Sequence, residues 1–273
     1  MSVIFEVSKA RPPTDSSAAV TPATTPSPHE LWTSFRTALC DLTILGRPAD
    51  AAKLVVGGAA LFYPAVGLLI GLCVAALDWV LRTFLGQEIT SVLLVGTLAV
   101  LSAGRQLDGF ANTADGLIGF RGREWAMATM RDRRLGTPGA ASIAFLLILK
   151  VRSLDLLSDP MRLVGVLLPP MLGRAALVAL AFGSRAADSS DGTTRFDPTL
   201  TSREFAIASV FAALVTLFLS GALGLLVLIL GGLTVLGLHF YFDRRLGGVT
   251  TQVLDAGAEL VEVLALIVFS LAS

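Results

Sequence analysis

"FAIASVFAALVTLFLSGALGLLVLILGGLTVLGLHFY" (205–241) contains no Asp, Glu, Lys or Arg. A helix needs about 20 apolar residues to cross a bilayer. The stretch is therefore one overlong span or two, and the choice decides on which side every other loop lies. Its centre, "LSGALG" (219–224), has the glycines and serine of a tight turn. The reading is two helices, 205–221 and 223–241. Working outward, further apolar runs of span length occupy 55–81, 89–104, 140–158, 163–182 and 253–271. The sequence thus predicts an all-α, polytopic membrane bundle of about seven transmembrane helices.

Composition agrees. Hydrophobic residues make up 54% of the chain and charged residues 15%, against about a quarter charged in soluble domains. The formal charge is zero, which gives no support to nucleic-acid binding. Cys40 and Cys73 suggest neither a disulfide framework nor a metal site, and read as buried or bilayer-facing thiols.

The arginines test the span count. With seven spans, loops 105–139, 183–204 and 242–252 share one side and carry Arg105, Arg121, Arg123, Arg131, Arg133, Arg134, Arg185, Arg195, Arg203, Arg244 and Arg245. The other side holds only Arg82 and Arg162. Positive residues favour the cytoplasm, so the N-terminus and the long loops are expected there, in a cytoplasmic (inner) membrane. Residues 1–30, rich in Pro, Ser and Thr, read as a disordered tail without a signal-peptide core. Residues 31–273 read as a single membrane-embedded catalytic domain. It begins with an amphipathic stripe (Leu31, Phe35, Leu39, Leu42) expected to lie along the membrane surface.

Between two apolar runs lies "LDGFANTADGLIGF" (107–120). Asp108, Asn112 and Asp115 share one side of a helix. The two aspartates are then about 10 Å apart along the axis, too far to grip one ion unless the helix breaks at the glycines that follow them. Asp132 comes next, in "MATMRDRRLGTPGA" (127–140), flanked by Arg131 and Arg133. Hard oxygen ligands suit Mg²⁺ or Mn²⁺, and arginines suit phosphate. Together they point to metal-assisted phosphoryl transfer. The bland alternative is helix capping and headgroup contact. Deeper in the spans lie Lys150, Arg152, Arg174, Glu259 and Glu262. Intramembrane charge is costly, so these are functional candidates or a buried structural pair such as Lys150 with Glu259. A transporter with a midplane site at Lys150, Arg174 and Glu259 is a further, weaker reading.

These stretches resemble the cobalamin synthase family, the adenosylcobinamide-GDP ribazoletransferases. The matching segments are "QLDGFANTADG" (106–116), "TMRDRRLGTPG" (129–139) and "RLGGVTTQVLDAGAEL" (245–260). The resemblance implies that adenosylcobinamide-GDP and α-ribazole, or its 5′-phosphate, are joined with release of GMP, with Mg²⁺ as cofactor. It makes Asp108, Asp115, Asp132 and Lys150 the catalytic candidates. Asp108, Asn112, Asp115 and Asp132 become the candidate metal ligands. Gly109, Gly116, Arg131, Gly136, Gly139 and Glu259 become candidates for substrate binding. The chain departs from the family pattern at Gln106, Asn112, Arg133 and Thr251-Gln252. A catalytically impaired paralogue that binds a corrinoid or partner is therefore one alternative, and a CDP-alcohol-type phosphotransferase another. Besides the substrates, the expected partner is the lipid bilayer; a homo-oligomer stays open.

Overall fold

The computed structural model describes residues 27–45, 57–118, 122–132, 134–187 and 200–273. Among the described residues ten helices follow in order: α1 Pro28–Leu42, α2 Gly57–Ala60, α3 Tyr63–Leu81, α4 Gln87–Leu101, α5 Arg105–Ile118, α6 Arg123–Arg131, α7 Thr137–Asp155, α8 Asp159–Ala181, α9 Ser202–Leu246 and α10 Thr251–Leu271. The described residues contain no strand beyond an isolated parallel bridge between Ala186 and Val249. The all-α expectation holds.

α1 starts at a capping box. The Ser27 hydroxyl accepts from the Glu30 N–H and the Glu30 carboxylate accepts from the Ser27 N–H, with Pro28 in the first turn, where its missing N–H costs nothing. Ordered helix thus begins inside the segment expected to be a tail; the rest of that tail, residues 1–26, lies outside the described residues. Ala38 and Leu42 are buried, Phe35 packs edge-on against Phe62, and Trp32 stays exposed. Tyr63 donates to Asp41 (2.6 Å) and Arg105 donates to the Asp41 carbonyl (2.5 Å), which ties α1 to α3 and α5.

α8 is the central helix, packed between α3 and α10. Gly67 and Gly71 of α3, four residues apart, let the two backbones touch. A Cβ on Gly67 would lie 2.6 Å from the Pro170 carbonyl oxygen, and one on Gly71 3.0 Å from the Leu167 carbonyl carbon. Small residues at this spacing are how helices approach closely where lipid supplies no hydrophobic drive. On the other face, a Cβ on Gly173 would lie 2.9 Å from the Ala258 carbonyl oxygen of α10.

α9 runs from 202 to 246, yet Gly221 has φ 54° and ψ −129°. Phe205 stacks on Phe182, with centroids 4.2 Å apart, while His239 Nδ1 lies 2.9 Å from the Ser184 hydroxyl. In a straight helix residues 205 and 239 would be about 51 Å apart; here both meet the chain just after α8. α9 therefore doubles back at Gly221. A Cβ on Gly224 would stand 2.7 Å from the Thr216 carbonyl oxygen, eight residues earlier. The turn read from "LSGALG" is where the chain reverses.

By length and apolar character, α3, α7, α8 and α9 can each cross a membrane, and the bent pair α4/α5 makes five. The expected seven is not reached on that measure. α9 counts there as one helix although it reverses, and α10 carries Asp255, Glu259 and Glu262.

The two ends of the bundle differ. At one end Gln87 donates to the Asp155 and Leu157 carbonyls and Arg82 pairs with Asp159. Arg162, assigned to a loop by its position in the sequence, is instead buried in the first turn of α8. It grips Asp78 of α3 with Nε and Nη2 (2.8–3.0 Å) and the Leu154 carbonyl with Nη1. At the other end are α5, α6, the chain after α8 and the α9–α10 junction. There Arg123 donates to the Ala187 carbonyl (2.9 Å), and Ala187 N–H to that of Val249. The described arginines of loops 105–139, 183–204 and 242–252 lie towards this second end.

Candidate active site

α4 and α5 meet at 88°. Between them Ala103 (φ 54°) and Gly104 (φ 66°) take left-handed conformations. That geometry costs a non-glycine residue roughly 1 kcal/mol or more, and strain of this kind clusters at functional sites. The bend turns α5 across the end of the bundle, against α10, α7 and α6.

α5 is one unbroken helix from Arg105 to Ile118. The glycines after Asp108 and Asp115 do not break it, so the two aspartates keep their separation of about 10 Å. Their surroundings differ. Asp108 is exposed, and its carboxylate has no partner among the described residues. Asp115 is buried and engaged at both oxygens: Oδ2 accepts from Gly136 N–H (2.8 Å) and Oδ1 from Gly139 N–H (2.7 Å). These are donors at the start of α7, whose N-cap residue is Gly136. An N-terminal turn has four unpaired N–H groups and a positive dipole end. Asp115 thus caps α7 from another helix.

Asn112 is buried beside this pair. Asp132 ends α6 and turns to Arg134: Oδ2 lies 2.7 Å from Nη2, and Oδ1 also accepts from the Arg134 backbone. The side-chain hydrogen bonds from Arg134 hold the exposed Asp132 carboxyl below the usual carboxylate range, and Asp132 raises Arg134 in return. Arg131 is exposed at the end of α6; Arg133 is outside the described residues.

The four candidate metal ligands therefore do not converge. Among the described residues no three His, Cys, Asp or Glu side chains are gathered as a metal site. The rigid rise of α5 separates Asp108 from Asp115, Asp115 already accepts one backbone donor at each oxygen, and Asp132 pairs with Arg134. As a protein-only cage the set does not fit Mg²⁺.

The glycines, expected to admit phosphate, have protein on the side where a Cβ would stand. On Gly109 it would lie 3.0 Å from Asp255 Oδ2, and on Gly116 2.7 Å from Met130 Cγ. On Gly136 and on Gly139 it would lie 2.5 Å from an Asp115 carboxylate oxygen. They are glycines because helices and turns close on one another there. Asp255, buried in α10, meets α5 at Gly109 and was not among the residues singled out from the sequence; its place one helical turn before Glu259 was the available signal.

Beneath α5 lies a buried ion cluster. Lys150 Nζ is 2.5 Å from Glu259 Oε2, an ion pair without hydrogen-bond alignment at that oxygen, and 2.7 Å from Glu262 Oε1. Arg174 Nη1 is 2.6 Å from Glu262 Oε2. All four are at most 4% exposed along the side chain. The pairing of Lys150 with Glu259 was legible in the sequence; the central place of Glu262, between two cations from α7 and α8, was not. Removing one member of such a cluster costs more than the cluster contributes, since it strands a charge.

The arrangement is that of a helical membrane protein with a short helix set across one end, carrying one open carboxylate above a buried ion cluster. A protein-family model described as Cobalamin-5-phosphate synthase matches residues 34–270, and the chain belongs to that family. It is 33% identical to an adenosylcobinamide-GDP ribazoletransferase of Roseiflexus sp. (strain RS-1), over 90% of this chain and 94% of the relative. It is 32% identical to one of Syntrophobacter fumaroxidans, over 86% and 97%, and 30% identical to one of Klebsiella pneumoniae, over 75% and 84%. No solved structure matches.

Proposed function

We infer that the chain is a transferase of cobalamin biosynthesis that acts as an adenosylcobinamide-GDP ribazoletransferase. A hydroxyl of α-ribazole, or of its 5′-phosphate, attacks the phosphorus on the cobinamide side of the pyrophosphate. A new P–O bond forms, the P–O–P bond breaks, GMP leaves with the bridging oxygen, and the hydroxyl proton is released. The observation that carries this reading is membership of the family over residues 34–270.

We propose that the bundle sits in the cytoplasmic membrane with the α5 end inside, because most of the arginines collect there. Counting α3, α4, α7, α8, both halves of α9, and α10 gives the seven spans of this reading. Mg²⁺ commonly binds through one or two carboxylates together with substrate phosphates, and Asp108 is the carboxylate left open for it. Bound there, Mg²⁺ would neutralise charge on the pyrophosphate. Asp115 keeps a positioning role: it holds the 136–139 turn and the start of α7 against α5.

The test is release of GMP from adenosylcobinamide-GDP by the purified protein in Mg²⁺. Release that depends on α-ribazole and is lost in Asp108→Ala is expected; no release above the Asp108→Ala background overturns the reading. Turnover that appears only after Asn112→Asp and Gln252→Asp would mark the chain as an impaired paralogue.

A further inference from the structure

The buried ion cluster leaves hydrogen-bonding capacity unused. Arg174 directs Nη1 to Glu262 and the Pro170 carbonyl, but among the described residues its Nε has no partner, and neither has Nε2 of Gln106. Arg174 is 1% exposed and Gln106 4%. Unpaired buried donors are costly, and native proteins rarely keep them. Both side chains line one small cavity, together with Ser102, Lys150, Glu259 and Glu262, and its free volume is about 10 Å³. One water needs roughly 10–15 Å³ and two to four polar partners.

Charge narrows the occupant. Lys150 and Arg174 are already balanced by Glu259 and Glu262, so an anion would leave buried negative charge and a cation buried positive charge. A small neutral molecule that accepts from two donors fits.

We propose that this cavity is a built site for a single water molecule linking Gln106 to Arg174, and that through it Gln106 is the positioning residue that locks α5 onto the buried ion cluster. Gln106 stands two residues after the left-handed Ala103–Gly104 break and two before Asp108. A short helix set at 88° to its predecessor needs an anchor near the bend, and the water-bridged cluster supplies it. Position 106 thus faces the interior of the helix bundle rather than the open carboxylate of Asp108.

For its activity readout the inference rests on the proposed transferase reaction. The experiment is a double-mutant cycle of Gln106→Leu and Arg174→Lys, the latter keeping the charge for Glu262 while removing Nε. Each single variant is expected to lower kcat for GMP release about 10- to 100-fold, in line with small misplacements of a site, with KM within about threefold. The double variant should be no slower than the slower single one. Multiplying losses would overturn the link, and an unchanged kcat in Gln106→Leu would overturn the positioning role. Where Gln106→Leu does not fold, Gln106→Met, which keeps the length and flexibility of the chain, takes its place. The cycle is read in parallel on unfolding midpoints in detergent. A wild-type protein that releases no GMP sinks the functional reading alone; coupling of the midpoints then upholds the link, and additive midpoints overturn it.

Discussion

Replacing Asp115 by alanine should separate two aspartates that look equivalent in the sequence. The substitution removes the acceptor of two charged hydrogen bonds, from Gly136 N–H at 2.8 Å and Gly139 N–H at 2.7 Å. Bonds to charged groups contribute about 1.5–3 kcal/mol each. Gly139 is buried while Gly136 is partly exposed, so water can replace one lost acceptor but not the other. The expected destabilisation of Asp115→Ala is about 3–4 kcal/mol, between two and three decades in the unfolding constant at 1.4 kcal/mol per decade. Asp115→Asn keeps one acceptor and should recover about half. Asp108→Ala, at an exposed side chain with no partner among the described residues, should stay within about 0.5 kcal/mol of wild type while losing GMP release. The measurement is denaturant unfolding in a fixed detergent, with GMP release assayed on the same preparations. An Asp115→Ala protein as stable as Asp108→Ala would refute the cap.

Gly71→Leu should abolish the close packing of α3 on α8, because even a Cβ there would stand 3.0 Å from the Leu167 carbonyl carbon. A loss of about 3 kcal/mol or more, at the upper end for overpacking, is expected in the unfolding midpoint, whereas Gly96→Leu, with open space around it, should leave the midpoint unchanged. Arg134 holds the Asp132 carboxyl below its usual range, so the contribution of this exposed pair is present above that range and lost as pH falls through the lowered value. In Arg134→Ala the Asp132 carboxyl should titrate at a higher pH, in the ordinary carboxylate range. Carboxyl-selective NMR titration would detect this, and high salt should weaken the difference.

Much of the bundle was written in local pattern. The apolar run at 253–271 became α10 at Thr251–Leu271, and "LSGALG" marked the reversal at Gly221. The Lys150–Glu259 pair was one of two readings that the cost of intramembrane charge left open, and the structure shows it. What was missed depends on contacts between distant segments. The Asp115 cap joins residues 21 and 24 apart in sequence, and a carboxylate that caps a helix reads in one dimension like one that binds metal. Asp78 and Arg162 lie 84 residues apart, and neither alone predicts the other. The glycines of the first motif could equally have made room for a ligand or for protein; only the position of Asp255 against Gly109 and of Asp115 against Gly136 and Gly139 decides it.

The reversal of α9 bears on how the protein is made. Its two arms carry no Asp, Glu, Lys or Arg from 205 to 241, and both outer ends sit beside the arginine-rich rim. During synthesis the arms can leave the insertion machinery as one hairpin, since nothing at the tip except a few small residues has to be translocated. On the topology proposed above, a reporter grafted at Gly221 is expected on the face opposite Asp108, where it reads sidedness away from the proposed site.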